Sequence, residues 1–237
     1  MKSRTQLLLG AAACQRLSQA HVLIVGLGGV GGYAAEMLAR AGIGTLTIVD
    51  GDHVSESNIN RQLIALHSTV DQSKTALFAC RLSDINPELT IHPVNEFIRD
   101  ERLVELLEKE RYDCVVDAID TLSPKVFLLY HARRLALPVV SAMGSGGRRD
   151  GSRIHVSDIS RSFGCPLAAM VRKRLRRMEV YSGIQVVFSD EPVPPQAMQE
   201  ELTTNHRTTL GTVSYMPALF GCRLAEQAIN LIINPTI

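Results

Sequence analysis

The sequence contains no Cys-x-x-Cys pair, no internal repeat and no marked excess of charge of either sign. Its five scattered cysteines disfavour a cysteine-based zinc site and are typical of reduced thiols in the cytoplasm. The near balance of 25 Lys and Arg residues against 24 Asp and Glu residues gives no overall attraction to nucleic acid or to a membrane. Affinity for either partner would therefore have to come from a local patch of charge.

A long uninterrupted apolar run is also missing, although both ends of the chain contain short ones. The first, in MKSRTQLLLGAAAC, is interrupted by Gln6, so we expect an N-terminal helical arm over residues 1–20 and no signal peptide. The run from 217 to 233 contains Arg223 and Glu226 and is too short and too charged to span a membrane. Its helical spacing predicts a helix packed on the core. We therefore expect a cytoplasmic protein.

What the first half of the chain does have is a regular alternation of strand and helix patterns. Strands are predicted near 21–26, 45–50, 89–94, 113–117 and 138–141, and helices near 29–41, 72–85, 100–110 and 124–136. This alternation predicts an α/β, Rossmann-like fold with a mainly parallel sheet and helices on both faces. A length of 237 residues suits a single domain, with residues 21–141 as its nucleotide-binding core.

The second half, residues 142–237, is less regular and is predicted to be an irregular extension on the substrate side of the core. It contains predicted strands at 153–156 and 184–188, a basic helix near 165–178 and the C-terminal helix. Residues 189–208 are rich in proline and polar side chains and are predicted to form a long loop.

The most informative segment begins with the apolar run VLIV, which leads directly into Gly26-Leu27-Gly28-Gly29-Val30-Gly31. In this pattern Gly26 permits a tight turn, Gly28 lets the backbone approach a phosphate, and Gly31 allows close packing of the helix. A helix that starts near Gly29 directs free N–H groups and the positive end of its dipole at an anion. A second apolar run ends at Asp50, the position of an acid that bonds ribose hydroxyls. These features predict a nucleotide site for either NAD or ATP.

The polar residues that follow Asp50 favour a polyphosphate over NAD. They form a dense run of Ser57, Asn58, Asn60, Arg61 and Gln62, whose side chains can hydrogen-bond phosphate or ribose. Lys74 lies near the start of a predicted helix, where a cation opposes the dipole and a phosphate would explain it. An exposed surface lysine is the alternative for Lys74, and Asp52 is either a second polar contact or a turn residue.

Asp120 follows the fourth predicted strand, at the carboxyl edge where ligands bind in open α/β sheets. A carboxylate there could hold Mg²⁺ against the phosphates of a nucleotide. Asp117, three residues earlier, points elsewhere in the strand and is interpreted as structural.

The basic helix carries five cations in six positions, namely Arg172, Lys173, Arg174, Arg176 and Arg177. An apolar stripe of Leu167, Val171, Leu175 and Met178 at helical spacing predicts that these cations face solvent. A plain solvated face and a contact surface for a polyanion both fit this pattern.

The motifs GLGGVGG, IVDGDHVSESNINRQ, Lys74 and DAID together resemble the ThiF/MoeB/HesA superfamily of ATP-dependent adenylating enzymes, relatives of ubiquitin-activating enzymes. The resemblance is collinear over most of the chain, and the Ser-Asn-x-x-Arg-Gln element with its downstream lysine is specific. It implies that Asp50, Asn58, Arg61, Lys74 and Asp120 bind ATP and Mg²⁺. It also implies a homodimer in which Arg4 reaches into the site of the partner subunit and grips phosphate bidentately.

Within that superfamily the chain looks most similar to the members that dehydrate a threonylcarbamoyl group on tRNA. The stretches RTQLLLG, NINRQLIALHSTV, SDISRSFGCPLAAMVRKRLR and QVVFSDE carry this likeness, with Cys165 in place of an expected acid. The resemblance implies adenylation of a carboxylate by ATP and then ring closure with loss of AMP. It also implies that the catalytic residues are Arg4, Arg61, Lys74 and Asp120. On this interpretation the basic helix contacts tRNA.

Two other functions are compatible with parts of the sequence. One is adenylation of a small ubiquitin-like sulfur-carrier protein, which would make a sulfur-transfer protein the partner. Such enzymes carry Cys-x-x-Cys zinc pairs and a catalytic cysteine in a loop. This chain has no Cys-x-x-Cys pair, and residues 189–210 contain no cysteine. The other is an NAD(P)-dependent oxidoreductase, for which the chain offers no separate substrate domain with a catalytic His, Tyr or Lys.

Overall fold

The computed structural model describes residues 3–200 and 208–234. A seven-stranded sheet has the order β3-β2-β1-β4-β5-β7-β6, and all neighbouring pairs are parallel except β6 with β7. Its strands are β1 His21–Val25, β2 Thr45–Val49, β3 Thr90–Val94, β4 Cys114–Asp117, β5 Val139–Ala142, β6 Ile154–Asp158 and β7 Gln185–Ser189. A separate antiparallel pair consists of β8 Met198–Glu200 and β9 Thr208–Leu210.

The described helices cover both faces of the sheet. They are α1 Ser3–Leu9, α2 Ala11–Gln19, α3 Gly31–Ala41, α4 Lys74–Ile85, α5 Asp100–Lys109, α6 Leu122–Arg134, α7 Pro166–Arg177 and α8 Tyr215–Ile233. None of the helices in this part of the chain is long and apolar enough to cross a membrane.

The central strands contribute to two separate cores because their side chains alternate between the faces of the sheet. On β1, Val22 and Ile24 pack in a cluster with α2, α3, α4 and α8, whereas Leu23 and Val25 pack with α5, α6 and α7. The central strands are therefore apolar on both sides, as expected for a buried parallel sheet. The predicted α/β, Rossmann-like architecture is confirmed.

The predicted strands and helices agree with the structure to within about two residues at most ends, but two segments differ. The N-terminal arm is broken at Gly10 into the two helices α1 and α2, because the backbone there leaves the helical region. The predicted loop 189–208 is wrong in part, because it contains the short strand β8 and the first residue of β9. Residues 201–207 of that prediction lie outside the described residues.

The chain reverses its direction of winding at β1, which has β2 on one side and β4 on the other. The connections that follow β1 and β4 therefore lead to helices on opposite faces, α3 and α6, and leave a crevice between them, the place where open α/β sheets bind ligands. The glycine turn follows β1, Asp50 follows β2 and Asp120 follows β4, so the topology brings all three to this edge.

Candidate nucleotide-binding site

The glycine turn between β1 and α3 is tightly packed at two positions and open at a third. Gly26 has φ +93°, and a Cβ on it would lie 2.8 Å from the backbone oxygen of Ala118. A Cβ on Gly31 would overlap the backbone oxygen of Gly26. At Gly28, in contrast, the nearest atom to an added Cβ would be Gln62 Nε2 at 3.8 Å. The fold therefore requires Gly26 and Gly31, whereas the space at Gly28 is free for a ligand.

Asp50 anchors the end of β2 to this turn. Its Oδ2 accepts a hydrogen bond from the backbone N–H of Leu27 at 2.7 Å, and its Oδ1 accepts one from that of Asp52 at 2.8 Å. Each carboxylate oxygen keeps a second lone pair. Asp50 can thus hold the turn and still accept hydrogen bonds from ribose hydroxyls.

The polar run folds into a short 3-10 helix, Glu56–Asn58, that places Arg61 beside the turn. Asn58 is buried, and its Oδ1 accepts from the N–H of Ser55. Arg61 Nη1 donates to the backbone oxygen of Ser57 at 2.8 Å and to Asn60 Oδ1 at 2.9 Å. A Cβ on Gly29 would lie 3.3 Å from Arg61 Cγ, so the arginine stem borders the glycine turn. The guanidinium retains further N–H donors for an anion.

Gln62 is a buried polar residue of the same run, with 8% of its surface exposed. Its Oε1 makes no hydrogen bond to any other described residue, and its Nε2 faces the open position at Gly28. A buried amide oxygen without a partner is costly unless a ligand or water supplies a donor. Gln62 therefore belongs to the candidate site, although the sequence predicted only a general hydrogen-bonding role for it.

Lys74 is the first residue of α4 and is only 4% exposed, so the alternative of a surface lysine is wrong. Its Nζ lies 3.0 Å from Asp52 Oδ2, and its backbone N–H donates to the backbone oxygen of Asp52. Asp52 is thus the partner that holds the Lys74 cation near the loop after β2. This ion pair accounts for Asp52 more specifically than either role predicted for it.

The loop after β4 contains one buried and one exposed aspartate. Asp117 is fully buried and forms an ion pair with Lys125 on α6 at 2.6 Å, which confirms its structural interpretation. Asp120 is exposed, and Ala118 of the same loop is hydrogen-bonded to Val25 at the end of β1. The structure therefore keeps Asp120 at the carboxyl edge and free to meet a ligand. Lys125 was missed because nothing in its local sequence marks a lysine as buried.

Phe97 is a further residue that the sequence did not indicate. It follows β3, is 66% exposed, and packs against Gly51, since a Cβ on that glycine would lie 2.7 Å from Phe97 Cδ2. Its ring thus offers an apolar face next to Asp50. An aromatic residue just beyond a strand, at the carboxyl edge, is the only sequence signal that could have indicated it.

Among the described residues there is no group of three or more His, Cys, Asp or Glu side chains that could hold a metal ion. Asp120 is the exposed carboxylate at the carboxyl edge that could contact a metal ion carried by nucleotide phosphates.

Some cations of the basic helix α7 are held by hydrogen bonds to neighbouring residues, and others are not. Arg172 is half-buried, and its Nη1 donates to the backbone oxygen and the hydroxyl of Ser162, which corrects the prediction that it faces solvent. Arg174 donates to Ser123 Oγ on α6 at 2.8 Å. The exposed cations whose side chains make no ion pair or hydrogen bond with another described residue are Lys173, Arg176 and Arg177. The predicted apolar stripe is confirmed at Val171 and Leu175.

Arg4 lies on α1, exposed, and makes no hydrogen bond or ion pair with another described residue. Its neighbours Leu7 and Leu8 are also largely exposed. Within one chain, Arg4 therefore makes no hydrogen bond or ion pair with the glycine turn, Asp50, Arg61 or Lys74.

The sheet order, the glycine turn and the Ser-Asn-x-x-Arg-Gln segment together define an adenylate-forming α/β domain. A model of the ThiF family matches residues 3–236, and the chain belongs to this family. It is 39% identical over 189 residues to the tRNA threonylcarbamoyladenosine dehydratase of Bacillus subtilis (strain 168), which covers 80% of this chain and 74% of that protein. The predicted resemblance is confirmed.

The structure agrees with these comparisons. It matches the crystal structure of Escherichia coli tRNA N6-threonylcarbamoyladenosine dehydratase in complex with ATP with a TM-score of 0.87 at 34% identity, over 97% of this chain and 92% of that chain. The molybdopterin-synthase adenylyltransferase of Escherichia coli (strain K12) is 38% identical over 137 residues, but this covers only 58% of this chain and 53% of that protein. The likeness to dehydratases is therefore the more extensive one.

Proposed function

We propose that this protein is an ATP-dependent enzyme that cyclises the threonylcarbamoyl group of threonylcarbamoyladenosine in tRNA. The observation that carries this proposal is the convergence of the glycine turn, Asp50, Arg61 and Lys74 at one edge of the sheet, in a chain similar over most of its length to such dehydratases. The reaction belongs to the cytoplasm, where tRNA and ATP are available.

The chemistry needs two steps at this site. The substrate carboxylate attacks the α-phosphorus of ATP, the bond to pyrophosphate breaks, and an acyl-adenylate forms. A nitrogen or oxygen of the same side chain then attacks the acyl carbon, loses its proton, and displaces AMP. The oxygen lost from the substrate leaves with AMP, so the net change is dehydration at the expense of ATP. The second step is intramolecular, and correct positioning supplies much of its rate.

The described side chains suit the first step. Asp50 accepts hydrogen bonds from the ribose, the open position at Gly28 admits the phosphates, and the first N–H groups of α3 point at them. Arg61 and Lys74 bring two positive charges to the phosphates, where negative charge builds up in the transition state. Phe97 would offer its exposed ring to the adenine. Mg²⁺ would be held by Asp120 and the phosphates, and it would neutralise part of their charge.

The second step requires no covalent enzyme intermediate. Activating enzymes that pass the acyl group to a thiol need a cysteine in the loop over the site, and residues 189–210 contain none. The hairpin of β8 and β9 in that region is tied to the polar run, because Asn60 Nδ2 donates to the backbone oxygen of Thr212. This contact supports a position of the hairpin base near the proposed nucleotide site. The adenylate therefore proceeds directly to the cyclic product.

The complete site requires a homodimer. Arg4 is exposed on α1 next to the apolar side chains of Leu7 and Leu8, which would be buried if α1 packed against a second copy. Arg4 of one subunit then reaches the phosphates bound by the other, where its planar fork suits a polyphosphate. The tRNA contacts Lys173, Arg176 and Arg177 on α7, while Arg172 and Arg174 hold the helix in place.

The second candidate function, adenylation of a sulfur-carrier protein, is favoured by the likeness to molybdopterin-synthase adenylyltransferase, although this covers little more than half of the chain. ATP–pyrophosphate exchange separates the two functions. We expect exchange with tRNA that carries threonylcarbamoyladenosine, and none with a carrier protein that ends in two glycines. Exchange with the carrier alone would reject the dehydratase.

A further inference from the structure

A cavity of about 470 Å³ lies at the opposite edge of the sheet from the nucleotide site. It is lined by the last turn of α6, with Tyr130, Arg133 and Arg134, and by the segment 178–182 that follows α7. The position follows from the topology, because α6 leads into the start of β5 and segment 178–182 leads into the start of the parallel strand β7. The cavity is therefore separate from the adenylating site.

Aromatic rings and guanidinium groups give this cavity its chemistry, with Tyr181 and Arg134 exposed and Tyr130 and Arg133 half-buried. Tyr181 is 60% exposed, and the guanidinium of Arg134 lies 5.8 Å from the centre of the Tyr130 ring. Arg133 lies against the backbone at Gly183, where a Cβ would approach its Cζ to 2.7 Å. Arg133 makes no ion pair with another residue of the described ranges, and the acid on the cavity wall is Glu179. Aromatic faces beside unpaired arginines are the usual contacts of RNA-binding proteins.

We propose that this cavity is a second tRNA-contact site, which binds a stretch of RNA backbone and stacks a nucleotide against Tyr181. This inference rests on the proposed function, because it assumes that tRNA is the substrate. Arg176 and Arg177 in the last turns of α7 connect the cavity with Lys173, so exposed positive charge continues from the middle of α7 to this edge. A single guanidinium site for a small anion would not require the exposed ring of Tyr181.

The distance between the two sites suits a tRNA. The 13 residues of α6 span about 20 Å, from the loop of Asp120 to the cavity. This corresponds to roughly six nucleotide steps of about 3.4 Å each. An RNA stem that leaves the active site along α6 and α7 would therefore reach the cavity, whereas a short loop fragment would not.

Cations in the last turn of a helix also stabilise the helix dipole, and this is the competing explanation for Arg134 and Arg177. A matched control exists, because Lys109 is an exposed last-turn cation of α5 that does not line the cavity. If the cations serve only the dipole, Arg134→Ala and Lys109→Ala will lower the thermal midpoint alike and leave RNA binding unchanged. If the cavity binds RNA, only Arg134→Ala will weaken that binding.

The experiment measures binding of the full chain to threonylcarbamoyladenosine tRNA at about 50 to 200 mM salt. We expect Tyr181→Ala to raise the Kd about tenfold, Tyr181→Phe to retain affinity, and Arg134→Ala to reduce the salt slope by about one. In turnover assays the KM for tRNA should rise, while kcat at saturating tRNA and the KM for ATP stay unchanged. Wild-type and variant enzymes should turn over a short modified anticodon-loop RNA equally.

Unchanged tRNA affinity in Tyr181→Ala and Arg134→Ala, with normal turnover by the wild type, would overturn this inference and leave the proposed function standing. A fall in kcat with unchanged KM for tRNA would also overturn it, because the residues would then act on the chemistry or the fold. If the wild type neither binds nor turns over the tRNA, the proposed function fails, and this inference fails with it.

Discussion

Lys125 Nζ lies 2.6 Å from Asp117 Oδ2, and neither side chain is exposed to solvent. Lys125 also donates to the backbone oxygen of Ala142, and the hydroxyl of Ser141 donates to Asp117. This network joins α6 to the ends of β4 and β5. Asp117 Oδ1 also accepts from the N–H of Ile119, so the buried pair orients the loop that carries Asp120.

We expect Lys125→Met to lower the free energy of unfolding by about 3 to 5 kcal/mol, because it leaves the Asp117 carboxylate buried and without its cation. The double variant Lys125→Met/Asp117→Leu should recover much of this loss, since it removes both charges. Urea unfolding of the two variants and the wild type measures the difference. A loss below about 1 kcal/mol in the single variant would contradict the description of a fully buried pair.

The glycine turn allows a matched pair of substitutions that separates folding from nucleotide binding. Gly31→Ala should destabilise the protein by about 3 kcal/mol or more, because its Cβ would overlap the backbone of Gly26. Gly28→Ala should change stability by less than about 1 kcal/mol, because the atom nearest to its Cβ would be Gln62 Nε2 at 3.8 Å, but should raise the KM for ATP. Thermal unfolding and ATP titration measure both effects. Normal ATP binding by Gly28→Ala would show that the phosphates lie elsewhere.

The parts of this fold that the sequence predicted are those in which local pattern and tertiary packing agree. Apolar runs such as VLIV are long enough to be central strands, and the glycine pattern has one common structural solution. The strands β1 and β2 and the glycine turn between β1 and α3 were therefore predicted closely. The alternation of strands and helices then determines the carboxyl edge. Asp50 and Asp120 could be assigned to that edge without any knowledge of side-chain contacts.

The parts that were missed depend on contacts between distant segments. Lys125 and Arg172 resemble surface cations in sequence, and only the packing of α6 on β4 and of α7 on the loop at Ser162 buries them. The pairing of β8 with β9 joins two polar segments with no alternating apolar pattern. The position of Phe97 against Gly51 and the cavity at the end of α6 both depend on the path of the backbone, which residue type alone does not specify.

Lys74 should be essential for adenylation, because it is the buried cation of the site. We expect Lys74→Ala to reduce AMP formation by about 100-fold or more, the usual loss of one group that stabilises transition-state charge. Asp52→Asn should have a smaller effect, since it removes only the partner that holds Lys74 at 3.0 Å. Pyrophosphate exchange measures activity, and circular dichroism checks the fold. Wild-type exchange by Lys74→Ala would remove this residue from the mechanism.

Two arginines of α7 should separate a structural role from RNA binding. Arg172→Ala should lower the free energy of unfolding by about 1 to 3 kcal/mol, because three acceptors on residues 159 and 162 lose a charged donor. Arg176→Ala should change stability by less than about 0.5 kcal/mol but weaken tRNA binding and reduce its salt dependence. Denaturation measures the free energy of unfolding of each variant, and filter binding measures the tRNA affinity of each. Equal loss of tRNA affinity in both variants would argue against this division.

Asp190 should contribute to the acid sensitivity of the protein. The hydrogen bond from Arg153, and then the nearby His155, whose Nε2 lies 3.2 Å from Asp190 Oδ1, lower the pKa of the Asp190 carboxyl to about 2 in the folded chain. An unfolded chain has an ordinary aspartate pKa of about 3.9 and so binds more protons between these two values. The stabilisation is therefore complete above about pH 4 and is lost as the pH falls toward 2.

Asp190→Asn should accordingly lower stability at neutral pH and make the urea midpoint less dependent on pH between about 5 and 2. A carboxyl NMR titration of the wild type should give a midpoint for Asp190 near 2. Arg153→Ala should raise that midpoint, because Arg153 Nε lies 3.0 Å from Asp190 Oδ1. An Asp190 midpoint at the ordinary value in the wild type would show that the ion pair does not persist in solution.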